Sequence, residues 1–214
     1  MNETAQATLS EMLEKPGPAR YDGRVALSLG AGGAIASLLL LPYALAMTQA
    51  APPSGGRLLL IFAANFVFIS SFAWIGLRAG ERFGLDSPRI RGRIAGNAGQ
   101  KPSHWILAIV AGIVAAIAAC LLQLALPLPV DSIDMSRMPV WWKGLSASFY
   151  GGIVEETISR LFLVSVLVWL AARICRPGPA VHWAAIVIAA LLFGAAHQPN
   201  WSARLEKSSA ADVT

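Results

Sequence analysis

The sequence has few charged residues and almost no cysteine. Only 14% of its 214 residues are charged, whereas 56% are apolar. Soluble domains usually contain about 25% charged residues. The two cysteines, Cys120 and Cys175, form neither a Cys-x-x-Cys pair nor a zinc-binding spacing, and we expect both to be packing residues. This composition excludes a disulfide-stabilised domain and indicates an integral membrane protein.

Charge is absent from three long stretches of the chain. No charged residue occurs within residues 25–56, 58–77 or 105–130, and each stretch reaches the ~20 residues that a helix needs to cross a bilayer. Residues 144–172 form a fourth apolar stretch that contains one cluster of ions, and residues 180–197 form a fifth. We therefore predict an all-α fold, a polytopic bundle of about five transmembrane helices.

The cations alternate between successive loops. Of the 17 Lys and Arg residues, 11 fall on the predicted side of the N-terminus, 5 fall on the opposite side, and Arg160 lies within the fourth apolar stretch. The positive-inside rule then predicts a cytoplasmic N-terminus and fits a bacterial inner (plasma) membrane. Since the net charge of +5 follows these loops, we expect membrane lipid as a partner and no nucleic acid.

The pattern divides the chain into four parts. Residues 1–24 form a polar cytoplasmic segment without the layout of a cleavable signal peptide. Residues 25–135 contain the first transmembrane helices and a basic cytoplasmic loop, 78–104, whose glycines and prolines predict irregular backbone. Residues 141–200 contain the cluster of ions, and 201–214 form a polar tail.

Glu155, Glu156 and Arg160 lie within the fourth apolar stretch, and His197 ends the fifth. An ion at the bilayer centre costs roughly 2.5 to 3.5 kcal/mol, so these side chains must pair, line a cavity or take part in chemistry. Glu156 and Arg160 are four residues apart and can pair on one helix face. At ~1.5 Å per residue, Glu155 and His197 each lie about 30 Å from the tight turn at residues 176–179, which predicts a similar depth.

These positions suggest a chemistry but leave alternatives open. Glu155 has no cation nearby in sequence and is a candidate general base, with His197 orienting a water molecule. Buried acids alone also suit a proton-coupled transporter. A divalent metal such as zinc held by Glu155 and His197 is a further alternative, although catalytic zinc usually takes three protein ligands, so the cofactor stays unknown.

Two motifs resemble one family. Residues 155–160 match Glu-Glu-x-x-x-Arg, and residues 193–197, from Phe193 to His197, match Phe-x-x-x-His. The region 141–200 thereby resembles the CAAX-prenyl-protease and bacteriocin-processing (CPBP) intramembrane proteases. The resemblance implies an endopeptidase that acts on a membrane-associated protein or peptide.

The resemblance also implies roles for the residues. Glu155 and His197 would be catalytic, and Glu156, Arg160 and Phe193 would support them. The family's later His-x-x-x-Asn motif, which binds the oxyanion, is not found in the 214 residues, so we expect a truncated member. A catalytically inactive scaffold or immunity-type protein is the alternative that this departure favours.

Overall fold

A computed structural model describes residues 21–48, 50–96, 105–125 and 140–197. Most of these residues are helical and none is in a strand, which confirms the predicted all-α membrane fold. The helices are α1 (Asp22–Thr48), α2 (Gly55–Gly80), α3 (Pro88–Ile94), α4 (Trp105–Ala125), α5 (141–171) and α6 (Pro179–His197). Helix α5 is α-helical over Trp141–Tyr150 and Ser165–Ala171, with π-helical turns at Gly151–Glu155 and Thr157–Val164.

Three of the described helices are long and apolar enough to cross a membrane: Asp22–Ala46, Gly55–Phe83 and Pro179–His197. Helix α4 contributes a shorter apolar stretch, Ile106–Leu122, and its side chains are exposed wherever their burial is described. In α5 the apolar residues are interrupted by the cluster of ions. The three long apolar helices indicate an integral membrane protein. The total of five spanning helices stays a prediction.

Small residues bring α1 and α2 into close contact. A Cβ atom on Gly33 would lie 2.5 Å from Cδ1 of Ile69, and one on Gly30 would overlap the Ser70 hydroxyl. Only glycine lets the backbones approach this closely, as is common in helix pairs within membranes.

Helix α5 packs against α2 through a Gly-x-x-x-Gly pair. A Cβ on Gly76 would lie 2.5 Å from the backbone oxygen of Leu161, and one on Gly80 would lie 2.7 Å from Oγ of Ser165. The contacts advance by four residues along both helices, so α2 and α5 run parallel. This contact fixes the π-helical part of α5 against the rest of the bundle.

Helix α6 returns along α5. Val164 and Val168 of α5 form a buried cluster with Ala185 and Ala189 of α6, at the end of the pair nearest the turn. The turn leaves α5 at Ala172 and ends at Pro179. The two helices are therefore antiparallel, as predicted, and their remaining turns lead to the predicted site.

The basic loop contains more structure than predicted. We define the connector as residues 81–94; it comprises a 3₁₀ turn, Glu81–Phe83, and helix α3. Gly84 has a φ of +71°, a conformation that suits glycine, and it separates the two. The prediction of irregular backbone was wrong here, because Pro88 begins a short helix whose fold depends on ion pairs that the sequence pattern did not reveal.

An ion cluster fixes the connector to the start of α1. Arg91 places Nη2 at 2.6 Å from Oδ1 of Asp22, and its Nε lies 2.7 Å from Oδ2 of Asp86. Asp22 is only 1% exposed, and its second oxygen has Arg78 Nε at 3.6 Å, too long for a hydrogen bond. The hydrogen bond with Asp86 raises the pKa of Arg91 above its usual value, although burial opposes this shift. The cation therefore stays charged.

Candidate functional site

The Glu-Glu-x-x-x-Arg motif lies where α5 changes its winding. The backbone N–H of Glu156 donates to the carbonyl of Gly151, five residues earlier, and i→i+5 turns continue to Val164. Such turns are rare and often occur at functional sites. The uninterrupted α-helix assumed from the sequence is thus wrong over residues 151–164. Apolar periodicity could not reveal this, because both windings bury one face.

The two adjacent glutamates differ in their partners. Nε of Arg160 lies 2.7 Å from Oε2 of Glu156, which confirms the predicted pair. The Glu155 carboxylate has no ion pair or hydrogen bond with any described residue. It lies over Gly151, where an added Cβ would be 3.4 Å from Glu155 Oε2. Glu156 is therefore neutralised within the motif, whereas Glu155 keeps acceptor atoms available.

A cavity of about 670 Å³ lies between α5 and α6. Its polar wall comes from the motif: Glu155, Glu156, Ser159 and Arg160. Its apolar wall is Leu85, Val164, Ile186, Ala189, Ala190 and Phe193. The Ser159 hydroxyl donates to the Glu155 backbone carbonyl at 2.6 Å, so it does not reduce the acceptor capacity of the carboxylate. The cavity therefore joins a carboxylate to an apolar pocket.

His197 lies one turn beyond this cavity and is not among its lining residues. Its Nδ1 lies 2.8 Å from the carbonyl oxygen of Phe193, and the two rings are in contact with centroids 4.5 Å apart. Because a carbonyl can only accept, Nδ1 carries the proton and a neutral ring presents the Nε2 lone pair. Phe193 thus contributes to the cavity wall through its ring and orients His197 through its carbonyl.

The π-helical turns shift Glu155 relative to the predicted depth. A turn closed by i→i+5 bonds takes more residues, so the helix advances less per residue than the α-helical rise used for the prediction. Glu155 accordingly shares a cavity with Phe193, and His197 is about 6 Å further along α6 at ~1.5 Å per residue. The structure brings Glu155, Glu156, Arg160 and Phe193 to one cavity, with His197 adjacent to Phe193.

A second cavity of about 470 Å³ lies on the other side of the ion pair. Glu156, Arg160 and Leu85 line both cavities, and Asp86, Ser87 and Ile90 of the connector line this one only. No pattern in the sequence predicted that the connector lies against this cavity. The only signal was the run Leu85-Asp86-Ser87-Pro88, which is typical of the start of a short helix.

The described residues do not supply a complete metal site. No three His, Cys, Asp or Glu side chains are grouped among them so as to hold an ion. The predicted pair, Glu155 and His197, is one ligand short of the usual catalytic zinc set.

The fold and the cavity are those of a helical integral membrane protein with an ionisable site between two of its helices. Residues 137–210 match the family model described as Rce1-like, type II CAAX prenyl endopeptidase. The match includes both motifs and confirms the predicted resemblance. Comparison with curated proteins and with solved structures gave no match. At family level this similarity supports a membrane protease, a hydrolase of the CAAX type.

Proposed function

We propose that the protein is an intramembrane endopeptidase in which Glu155 activates water. The observation that carries this proposal is the difference between the two glutamates. Glu156 is paired with Arg160 at 2.7 Å, while Glu155 lines the cavity with no described ion-pair partner. A site that needed only the Glu156–Arg160 pair would require one carboxylate, and the second carboxylate is available for proton transfer.

In the proposed reaction, Glu155 takes a proton from a water molecule in the cavity, and the hydroxide attacks the carbonyl carbon of the scissile bond. His197 lies one turn beyond the cavity, and substrate binding is proposed to bring its Nε2 lone pair to the water's other hydrogen, where it orients the attack. As the C–N bond breaks, protonated Glu155 returns its proton to the leaving amine. General acid–base catalysis of this kind contributes about 10²- to 10⁴-fold in rate.

The tetrahedral intermediate carries a negative oxygen that needs hydrogen-bond donors. Among the cavity-lining residues, Arg160 is the cation, and only its Nε is used by Glu156. Its terminal N–H groups have no described partner. We propose them as donors to the oxyanion.

The apolar wall favours a substrate with a lipid-like or aliphatic part. Side chains of Val164, Ile186, Ala189 and Phe193 face the carboxylate across a cavity of about 670 Å³, which is large enough for several side chains. We propose a membrane-associated protein or peptide as the substrate. A prenylated CAAX peptide is the first probe, because the matched family model describes prenyl endopeptidases.

The test is cleavage of a farnesylated CAAX peptide by the full chain in liposomes. The wild-type protein should release a C-terminal fragment, and Glu155→Gln should slow release by about 10²- to 10⁴-fold. Glu81→Gln is the matched control, since Glu81 lies in the connector outside the cavities and should keep the wild-type rate. Proton flux across the same liposomes is measured in parallel.

Each alternative gives a different result. A proton-coupled transporter would show flux that Glu155→Gln abolishes, with no peptide release. A scaffold would release no fragment and would show no flux in either protein. Equal cleavage by the wild-type protein and Glu155→Gln would contradict the assigned role of Glu155.

A further inference from the structure

We propose that Arg91 is a positioning residue for the candidate site. Its ion pairs, which we call the latch, hold the connector in place as one wall of the cavity that Glu155 lines. This inference deepens the proposed function and rests on it for its catalytic consequence. The latch consists of Arg91, Asp22 and Asp86. The wall residue that it holds in place is Leu85, which lines both cavities.

The connector contacts both halves of the bundle. Ile90 and Ile94 pack against a buried cluster on α1 and α2 that includes Val25 and Leu77. Phe83 and Leu85, at the other end of the connector, pack against the buried cluster between α5 and α6. The connector therefore bridges the two halves of the bundle, and its residues form part of the wall of both cavities.

Apolar packing alone holds this wall weakly. The residues of the connector that pack against the two clusters are only partly buried, and the connector spans 14 residues with one helix of 7. Arg91 is by contrast only 9% exposed. Its guanidinium donates two hydrogen bonds to the Asp86 carboxylate, from Nε at 2.7 Å and from Nη2 at 2.8 Å. Hydrogen bonds between charged groups are roughly twice as strong as neutral ones.

The geometry links Arg91 to Leu85 through one residue. Asp86 follows Leu85 directly, and its carboxylate also accepts the backbone N–H of Ser87 at 2.6 Å. Arg91 is in turn anchored to Asp22, which belongs to α1 and is buried at the helix start. Loss of the guanidinium would release Asp86 from α1, and Leu85 would then move away from the cavity wall.

The first experiment measures access to Leu85 without using activity. Cys120 and Cys175 are replaced by Ser, Leu85→Cys is introduced, and the detergent-solubilised full chain is labelled with a water-soluble maleimide. Arg91→Ala should raise the labelling rate about tenfold, because the buried charged hydrogen bonds are lost. Arg93→Ala is the matched control, since Arg93 is exposed on the same helix, and it should leave the rate unchanged.

A general loss of folding is distinguished by a second cysteine. Ala185→Cys lies in the α5–α6 cluster, 3% exposed, and should stay unlabelled in both arginine variants. Arg91→Lys keeps the charge but loses the paired hydrogen bonds of the guanidinium, and it should give an intermediate labelling rate at Leu85→Cys. If Arg91→Ala does not fold, Asp86→Asn is tested in its place. This change leaves the Arg91–Asp22 pair intact and weakens only the Arg91–Asp86 pair next to Leu85.

The catalytic consequence is a change in substrate preference. With two farnesylated peptides that differ by a small or a large residue next to the scissile bond, Leu85→Ala should shift the ratio of kcat/KM values, and Arg91→Ala should shift it in the same direction. Equal labelling of Leu85→Cys with and without Arg91 would overturn the latch. Absence of cleavage by the wild-type protein would instead contradict the proposed function and leave the labelling result standing.

Discussion

Nε of Arg160 lies 2.7 Å from Oε2 of Glu156, and this ion pair separates two cavities within the bundle. The neighbouring carboxylate, Glu155, lines only the cavity between α5 and α6. Two adjacent carboxylates therefore differ in role. Glu156 is neutralised by an arginine of its own helix, whereas Glu155 is available to a substrate. Substitutions at the two glutamates should therefore have different effects.

The first prediction concerns the ion pair. Glu156→Gln and Arg160→Gln should each destabilise the protein, because each leaves its partner charge without compensation in the membrane. The double variant should be more stable than the sum of the two single effects predicts, with a coupling of roughly 0.5 to 3 kcal/mol. Thermal unfolding of the four proteins in one detergent measures this coupling, and strictly additive effects would contradict the pair.

The second prediction concerns the space around Glu155. Gly151→Val should displace the carboxylate, since even a Cβ at this position would lie 3.4 Å from Oε2, and kcat should fall by about tenfold or more. Gly152→Val is the control, because a Cβ there meets nothing within 4 Å. Kinetics of the two variants with one peptide would show the difference. The placement of Glu155 would be wrong if both variants kept the wild-type kcat.

The third prediction concerns the contact between α2 and α5. Gly76→Ala should destabilise the protein by roughly 1 to 3 kcal/mol, because the added Cβ would lie 2.5 Å from the Leu161 backbone oxygen. Gly112→Ala, in the exposed helix α4, should be neutral or stabilising by up to about 1 kcal/mol. Melting temperatures check both signs, and a stabilising effect of Gly76→Ala would exclude the close approach.

The fourth prediction separates His197 from its support. His197→Ala should lower kcat by about 10²- to 10⁴-fold, as loss of a general acid–base partner does. Phe193→Leu keeps the backbone carbonyl that binds Nδ1 but loses the ring contact, which is worth about 0.5 to 1.5 kcal/mol, so kcat should fall by at most about tenfold. Equal losses in the two variants would indicate that Phe193 itself has the larger role.

Much of the fold was predictable from the sequence, because long uncharged stretches have few alternatives to membrane helices. The pairing of Glu156 with Arg160 followed from their spacing, and the antiparallel course of α5 and α6 followed from the short turn between them. The resemblance to CAAX-type proteases was carried by the same motifs that the family model matches.

Two features of the site could not be predicted. The π-helical winding of residues 151–164 leaves no mark on the apolar pattern, and its close contact with Gly76 of α2 joins distant parts of the chain. The connector looked like an irregular basic loop because Arg91 resembles its neighbours in sequence. Only the fold brings Asp22 and Asp86 to this arginine and shows that it differs from the exposed Arg93.

The central claim is that Glu155 activates the water that cleaves a peptide bond. The most direct measurement compares the wild-type protein with Glu155→Gln in water enriched in oxygen-18, with the farnesylated CAAX peptide and mass spectrometry of the products. We predict that the wild-type protein incorporates one heavy oxygen atom into the new carboxyl group and that Glu155→Gln forms this product at least about 10²-fold more slowly. Formation of the labelled product at the same rate by both proteins would contradict the claim.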